Sequence, residues 1–224
     1  IAKIKDSISK KNISIIGELK KASPSAGIIF DNNKDYFDIA KKYQSNNISC
    51  LSILTDEKFF KGSDSDLERI REIIDIPIIR KDFILDSYQL YESKMLGADC
   101  ILLILSMIDI ALAKDLEAEA IDIGLDVLIE THNKEEMDNA LTMKSQLVGI
   151  NNRNLNDFTV DINNTISLID ASVTDKIYVS ESGIKSRSDI NYIVDTSPAR
   201  TFLVGESLMR SQNIEEQIRT LLSN

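Results

Sequence analysis

Eight times along the chain a short apolar or β-branched run is followed by a longer amphipathic stretch, and this alternation limits the possible folds more than any other feature. The runs are Ser14–Lys20, Cys50–Leu54, Ile78–Lys81, Cys100–Ile104, Asp126–Glu130, Leu147–Asn151, Lys176–Ser180 and Thr201–Val204, each near the usual length of a strand. The stretches after them read as helices over Asp35–Ser45, Asp64–Ile74, Ser87–Leu96, Ile108–Ile123, Lys134–Met143, Asn163–Ile169, Arg187–Val194 and Ile214–Leu222. Local signals agree: Asp64 is placed to N-cap the second helix and Asp86 or Ser87 the third, while Gly97 and Gly124 stand just past the third and fourth. Strict alternation implies parallel strands with helical crossovers, and eight units favour a closed (β/α)8 TIM barrel of the α/β class over an open doubly wound sheet. No GxGxxG follows the first strand, where an open dinucleotide-binding sheet would carry its phosphate turn.

The 224 residues, 43% of them hydrophobic, are enough for one large core, and the 3 prolines and 8 glycines are scattered without forming a linker. Residues 1–224 therefore read as a single barrel domain. A net charge of −10 speaks against nucleic acid or an anionic membrane as partner, since both need clustered Lys and Arg. The longest apolar run, Cys100–Leu105, is too short to cross a bilayer, and the charged Ile1–Lys10 is not a signal peptide, so a soluble, cytoplasmic protein is expected. Cys50 and Cys100 each open a strand and read as small buried thiols rather than a disulfide. One His and two separated Cys give no credible metal site.

In such a barrel the site lies at the C-terminal ends of the strands. The two-residue period puts Glu18 and Lys20 on one face of the first strand. The third ends in Arg80-Lys81-Asp82-Phe83, the fifth in Glu130, and the sixth in Asn151-Asn152-Arg153, so ionisable groups are expected to converge on one mouth. Two Lys and two Glu beside a lumen suit proton transfer, because burial and opposite charges shift their pKa values; the alternative is a structural ion network. The seventh strand runs into Ser180-Glu181-Ser182-Gly183-Ile184 and the eighth into Gly205-Glu206-Ser207, the outline of a phosphate cradle built from backbone N–H groups, although a lone Ser-Gly is an ordinary turn. His132 is tempting as a base but reads better as a residue at a helix start.

Ile16–Gly27 (IGELKKASPSAG) resembles the first-strand signature of the indole-3-glycerol phosphate synthases, an E-x-K-x-x-SPS-x-G segment. Ser52–Ser63, Pro77–Tyr91, Leu147–Leu155, Val179–Ile184 and Phe202–Arg210 are similar to the family's segments at the corresponding barrel positions. The resemblance implies a metal-free and cofactor-free conversion of a small phosphosugar, 1-(2-carboxyphenylamino)-1-deoxyribulose 5-phosphate, into indole-3-glycerol phosphate, carbon dioxide and water. It gives Lys81 the part of general acid at the ribulose carbonyl oxygen. Lys20 is the partner of the substrate carboxylate and a second acid, Glu130 a proton acceptor or stabiliser of the cationic ring, and Glu18 a carboxylate of the dehydration step. The division of labour among these four stays open. Asn151 and Ser182 match supporting polar positions, Ser23, Gly183, Gly205 and the Glu206 backbone the phosphate site, and Phe60 and Phe83 the walls for the anthranilate ring. Arg153 either adds charge near a substrate anion or anchors its loop.

Two features depart from the family pattern: Ala26 replaces a residue that is often basic, and only thirteen residues precede Ser14, where the family carries a longer helical extension over the mouth. The extension is therefore read as short or trimmed. The family includes monomers, and a monomer is the expectation here. A phosphoribosylanthranilate isomerase or a thiazole-forming barrel is disfavoured by the E-x-K and RKDF segments. A non-catalytic phosphosugar-binding barrel is disfavoured by the presence of Glu18, Lys20, Lys81 and Glu130.

Overall fold

A computed structural model describes residues 3–9, 11–30 and 35–223. The strands are β1 (Ser14–Leu19), β2 (Ala22–Ser23), β3 (Gly27–Ile28), β4 (Cys50–Leu54), β5 (Ile78–Lys81), β6 (Cys100–Ile104), β7 (Asp126–Thr131), β8 (Leu147–Asn151), β9 (Ile177–Glu181) and β10 (Thr201–Val204). The helices are α1 (Lys3–Ser9), α2 (Tyr36–Ser45), α3 (Glu57–Phe60), α4 (Asp64–Arg71), α5 (Tyr88–Met95), α6 (Ile110–Asp122), α7 (Lys134–Leu141), α8 (Asn163–Leu168), α9 (Arg187–Thr196), α10 (Glu206–Arg210) and α11 (Ile214–Leu222). β1 and β4 to β10 form a closed parallel barrel in which β1 pairs with both β4 and β10, so the eight-unit reading of the sequence holds. β2 and β3 form a separate two-stranded hairpin in the loop after β1.

Alternation along the strands sorts the core into two parts. Residues such as Leu51, Ile53, Ile101, Val127, Val148 and Phe202 pack outward against the helices. Ile16, Cys50, Ile79, Cys100, Leu102, Leu128, Leu147, Val179 and Leu203 fill the interior. Both cysteines are buried and free, as their strand-opening positions suggested.

One cap and the N-terminal stretch differ from the sequence reading, and the cap of α5 falls within it. Ser63, not Asp64, caps α4: its Oγ accepts the Asp66 N–H at 3.2 Å, and the Asp64 carboxylate turns instead to Arg80 at 2.9 Å. Ser87 stands at the cap of α5 without a side-chain bond, while Asp86 accepts the Tyr88 N–H at 2.9 Å. The N-terminal stretch, read as having no element, holds α1, whose Ile4 and Ile8 join the interior cluster. The helix is tied down by Ile4 N–H to Asp126 Oδ2 at 3.1 Å and by Ser7 Oγ to the Ser49 carbonyl. Asp126 and Ser49 open or precede strands, so α1 closes the N-terminal end of the barrel, opposite the mouth. Among the described residues no helix is long and apolar enough to cross a membrane.

Candidate active site

Two residues beyond Ile16, Ile79, Leu128, Val179 and Leu203, the next inward positions are Glu18, Lys81, Glu130, Glu181 and Gly205. The interior thus changes from apolar to ionised within one step of the strand period, at its C-terminal end. Lys81 Nζ is the centre of this layer. It lies 2.8 Å from Glu181 Oε2, 3.4 Å from Glu18 Oε1 and 3.7 Å from Glu130 Oε2, and Lys20 Nζ sits 2.6 Å from the other oxygen of Glu18.

Burial and charge pull against each other here. Burial disfavours the Lys81 ammonium, but the three carboxylates outweigh it and hold its pKa above the ordinary lysine value. Burial likewise opposes the Glu18 anion, and Lys20 and Lys81 together more than offset that, lowering its pKa. Glu130 is held well below the carboxylate range, its burial overcome by Lys81 and His132. Glu181 goes the other way. Its burial, reinforced by the Glu130 charge, prevails over Lys81 and raises its pKa to about 7.

Glu130 is oriented from behind by polar groups on neighbouring elements. Asn151 Nδ2 donates to Glu130 Oε1 at 3.1 Å, and His132 Nε2 approaches the same oxygen at 3.2 Å. The ring's other nitrogen, Nδ1, lies 3.0 Å from Glu136 Oε2. Burial disfavours the imidazolium, yet the two carboxylates raise its pKa to about 9.

Above the charged layer opens a cavity of about 1020 Å³, the size of a small-molecule site. Glu18, Lys20, Lys81, Glu130 and Asn151 form its polar floor. Phe59, Phe60 and Phe83 form an aromatic wall, with Phe83 6.1 Å from Phe59 and 6.4 Å from Phe60 between ring centroids. Ser23, beside that wall, and Ser182, Gly183, Gly205, Glu206 and Ser207 from the last two strand ends complete the lining. Ser182 and Gly183 are consecutive left-handed residues, with φ of 64° and 90°, and they turn the chain sharply after β9. A Cβ at position 183 would press on Val160 and Ile162, so glycine answers both the dihedral and the space. Ser207 Oγ donates to the Ile184 carbonyl at 3.0 Å and joins the last two turns. Ser23 Oγ accepts the Ala26 N–H at 3.2 Å, closing the SPSA turn, and Arg210, paired with Glu206 at 3.0 Å, reaches the Ala26 carbonyl through Nη2 at 3.4 Å. Arg153 lines the cavity and also anchors its loop, donating to the Phe158 carbonyl at 3.2 Å.

The sequence profile of the indole-3-glycerol phosphate synthase family matches residues 2–221. The chain belongs to this family. Indole-3-glycerol phosphate synthase from Burkholderia cenocepacia (strain HI2424) is 45% identical over 210 residues, covering 92% of this chain and 78% of that protein. The synthase from Burkholderia lata is 46% identical over 208 residues, with the same coverage. Among solved structures, thiamine phosphate pyrophosphorylase from Pyrococcus furiosus superposes with a TM-score of 0.68 at 12% identity, covering 95% of each chain. A chain of the tryptophan synthase complex from Pyrococcus furiosus does so with 0.68 at 13%, covering 94% of this chain and 98% of its own. At such identities these two speak for the fold alone.

Set against the family motifs, the structure brings all thirteen residues singled out from the sequence to the cavity: Glu18, Lys20, Ser23, Phe60, Lys81, Phe83, Glu130, Asn151, Arg153, Ser182, Gly183, Gly205 and Glu206. Phe60 and Phe83 are wall rather than core, and Asn151 orients Glu130. One expected member of the mouth is elsewhere. Arg80 alternates outward and is buried between sheet and helices, bound to Glu92 at 2.7 Å and Asp64 at 2.9 Å. Glu181 and Phe59 are the residues the sequence reading passed over. Counting by two from the buried Val179 finds Glu181; Phe59 carries no sequence signal that separates it from its neighbour Phe60. His132 precedes a helix as expected, but Asn133 is the cap of α7, accepting the Glu136 N–H at 3.0 Å, and the His132 ring instead spans two carboxylates.

Proposed function

We propose that this chain carries indole-3-glycerol phosphate synthase activity: a carboxy-lyase of tryptophan biosynthesis that closes the ring of 1-(2-carboxyphenylamino)-1-deoxyribulose 5-phosphate with loss of carbon dioxide and water. The observation that carries this is the Lys81 ammonium, held among Glu18, Glu130 and Glu181 at the floor of a cavity with an aromatic wall on one side and two glycine turns on the other. Ring closure needs an acid at the ribulose carbonyl oxygen as the aromatic carbon attacks, and Lys81, kept charged by its neighbours, is that donor. Lys20 offers a second cation for the substrate carboxylate until carbon dioxide leaves. Dehydration then needs an acid and a base: Lys20, 2.6 Å from Glu18, is the second proton donor, and Glu18 and Glu130, both held ionised, are the carboxylates that can accept.

The phosphate belongs in this reading with Ser23, Gly183, Gly205 and the Glu206 backbone, and two arginines line the cavity, Arg153 and Arg210, the latter paired with Glu206 at 3.0 Å. The anthranilate ring lies against Phe60 and Phe83. The small phosphosugar is the partner, no cofactor takes part, and the reaction is placed in the cytoplasm. The test is turnover of the carboxyphenylamino-deoxyribulose phosphate, read by the indole fluorescence of the product, in the chain and in its Lys81→Ala and Glu130→Gln variants. Turnover that collapses in both variants is expected. Saturable binding without turnover in the unaltered chain would instead favour a phosphosugar-binding barrel.

A further inference from the structure

The ring of His132 is absent from the cavity lining, yet it reaches the carboxylate to which the proposed reaction gives a proton-accepting part. We infer that His132 is a positioning residue: clamped by Glu136 at the start of α7, it backs Glu130 and fixes that carboxylate, as a proton acceptor, at the cavity floor. This rests on the reaction proposed above.

The clamp is built from several independent bonds. Glu136 Oε2 takes the His132 backbone N–H at 2.7 Å and stands 3.0 Å from ring Nδ1, so one oxygen fixes both backbone and ring. The other oxygen, Oε1, accepts Asn133 Nδ2 at 2.6 Å, while the Glu136 N–H donates to Asn133 Oδ1 at 3.0 Å. Asn164 Nδ2 on α8 donates to the carbonyls of both His132 and Asn151, at 3.3 Å and 3.0 Å, so the two residues that touch Glu130 Oε1 are held by one amide. The ring therefore has one free direction, and Glu130 occupies it at 3.2 Å. The approach is off the line of an aligned hydrogen bond, leaving charge attraction as the main coupling.

The charged groups facing the His132–Glu130 pair are Glu136 from α7, Lys81 from β5 and Glu181 from β9, with Glu18 of β1 beyond Lys81. Asn151 on β8 and Asn164 on α8 are neutral. Removing the imidazolium leaves Glu130 with Lys81 as its cation, and that cation is shared with Glu18 and Glu181. The pKa of Glu130 then rises, and the fraction able to accept a proton falls at the acidic end of the working range.

His132 is the only histidine in the chain, so its ring can be titrated directly by NMR on tag-free protein. A midpoint near 9 is expected, falling by at least about one unit in Glu136→Gln as one of two anionic partners is lost. A midpoint at the ordinary value of about 6.5 overturns the proposal. Kinetically, His132→Gln is expected to lower kcat on the order of tenfold, a fraction of what a well-placed proton-transfer group supplies, with KM within about twofold. Its acidic limb should move to higher pH. Wild-type turnover with variant pH profiles superimposable on it overturns the role of His132 alone; absence of wild-type turnover overturns the reaction itself.

Discussion

Gly149 and Glu181 share one space inside the barrel: a Cβ on Gly149 would collide with Oε1 of the Glu181 carboxylate. β8 and β9 are paired at this level, with Asn151 opposite Glu181, so the glycine leaves the room that the carboxylate occupies while it pairs with Lys81. Gly205 does the same for Glu18, whose Oε2 occupies the place of its missing side chain. Gly149→Ala should therefore fold, losing roughly 1–3 kcal/mol to overpacking, and lose on the order of 10²-fold in turnover as Glu181 is displaced from Lys81. Urea unfolding and the fluorescence assay read the two effects separately. Full turnover in this variant would mean that the position of Glu181 is immaterial.

Glu181 also leaves a mark on stability. Its pKa is raised from about 4.5 to about 7 in the folded protein, so between those values the folded state binds more protons than the unfolded one. Stability from this group therefore falls as pH rises through that window and is level above it. Glu181→Gln removes the dependence. The melting temperature of the variant relative to the parent should climb between about pH 4.5 and 7 and then stay constant, while turnover drops because Lys81 loses its partner at 2.8 Å. A difference that does not vary with pH would show that Glu181 is ionised throughout.

The contrast between Glu181 and its neighbours explains how much of the site could be read beforehand. Glu18, Lys81 and Glu130 fall at the inward positions of strands whose apolar runs are plain, and the period of two places them. Glu181 ends a strand that the apolar run alone carries only to Ser180, so it looked like the first residue of a turn. Strand pairing extends β9 by that one residue. Short elements were hidden for a related reason: α3 has four residues and α10 five, too few for a helical period to show, and they exist because Asp56 caps the one and the Gly205 turn starts the other. Arg80 was misplaced because a strand-end residue beside an active lysine looks like site when the alternation is not followed one residue further.

Arg80 supplies a third test. Its guanidinium, 3% exposed with its residue, binds Glu92, Asp64, Thr55 and Ser93, and lies 3.4 Å from Asp82, which also accepts the Thr55 hydroxyl. Arg80→Met fills much of the space but strands three carboxylates. Asp64 and Glu92 keep some contact with water, so the loss in urea unfolding should fall at the lower end of the roughly 3–5 kcal/mol typical of a severed buried pair. Arg80→Lys should recover only part of it, since an ammonium cannot reproduce the fork that spans several acceptors. If Arg80→Met is as stable as the parent, the network is not what holds the β5 loop.

The N-terminal helix α1 separates stability from catalysis most cleanly. Ile4 and Ile8 are buried against Ile16, Cys50, Cys100 and Leu147 at the end of the barrel away from Lys81, and the Ile4 N–H is bonded to Asp126. Such a short helix has no stability of its own; burial of its two isoleucines holds it, and its backbone bonds fix where it sits. Ile8→Ala should cost about 2–5 kcal/mol, the range for a core isoleucine cut back to alanine. Because the apolar interior layer of Ile16, Ile79, Leu128, Val179 and Leu203 lies between that plug and the cavity floor, KM and kcat of the folded fraction at low temperature should match the parent. A change in KM without loss of stability would mean that this helix acts on the mouth of the barrel rather than sealing its far end.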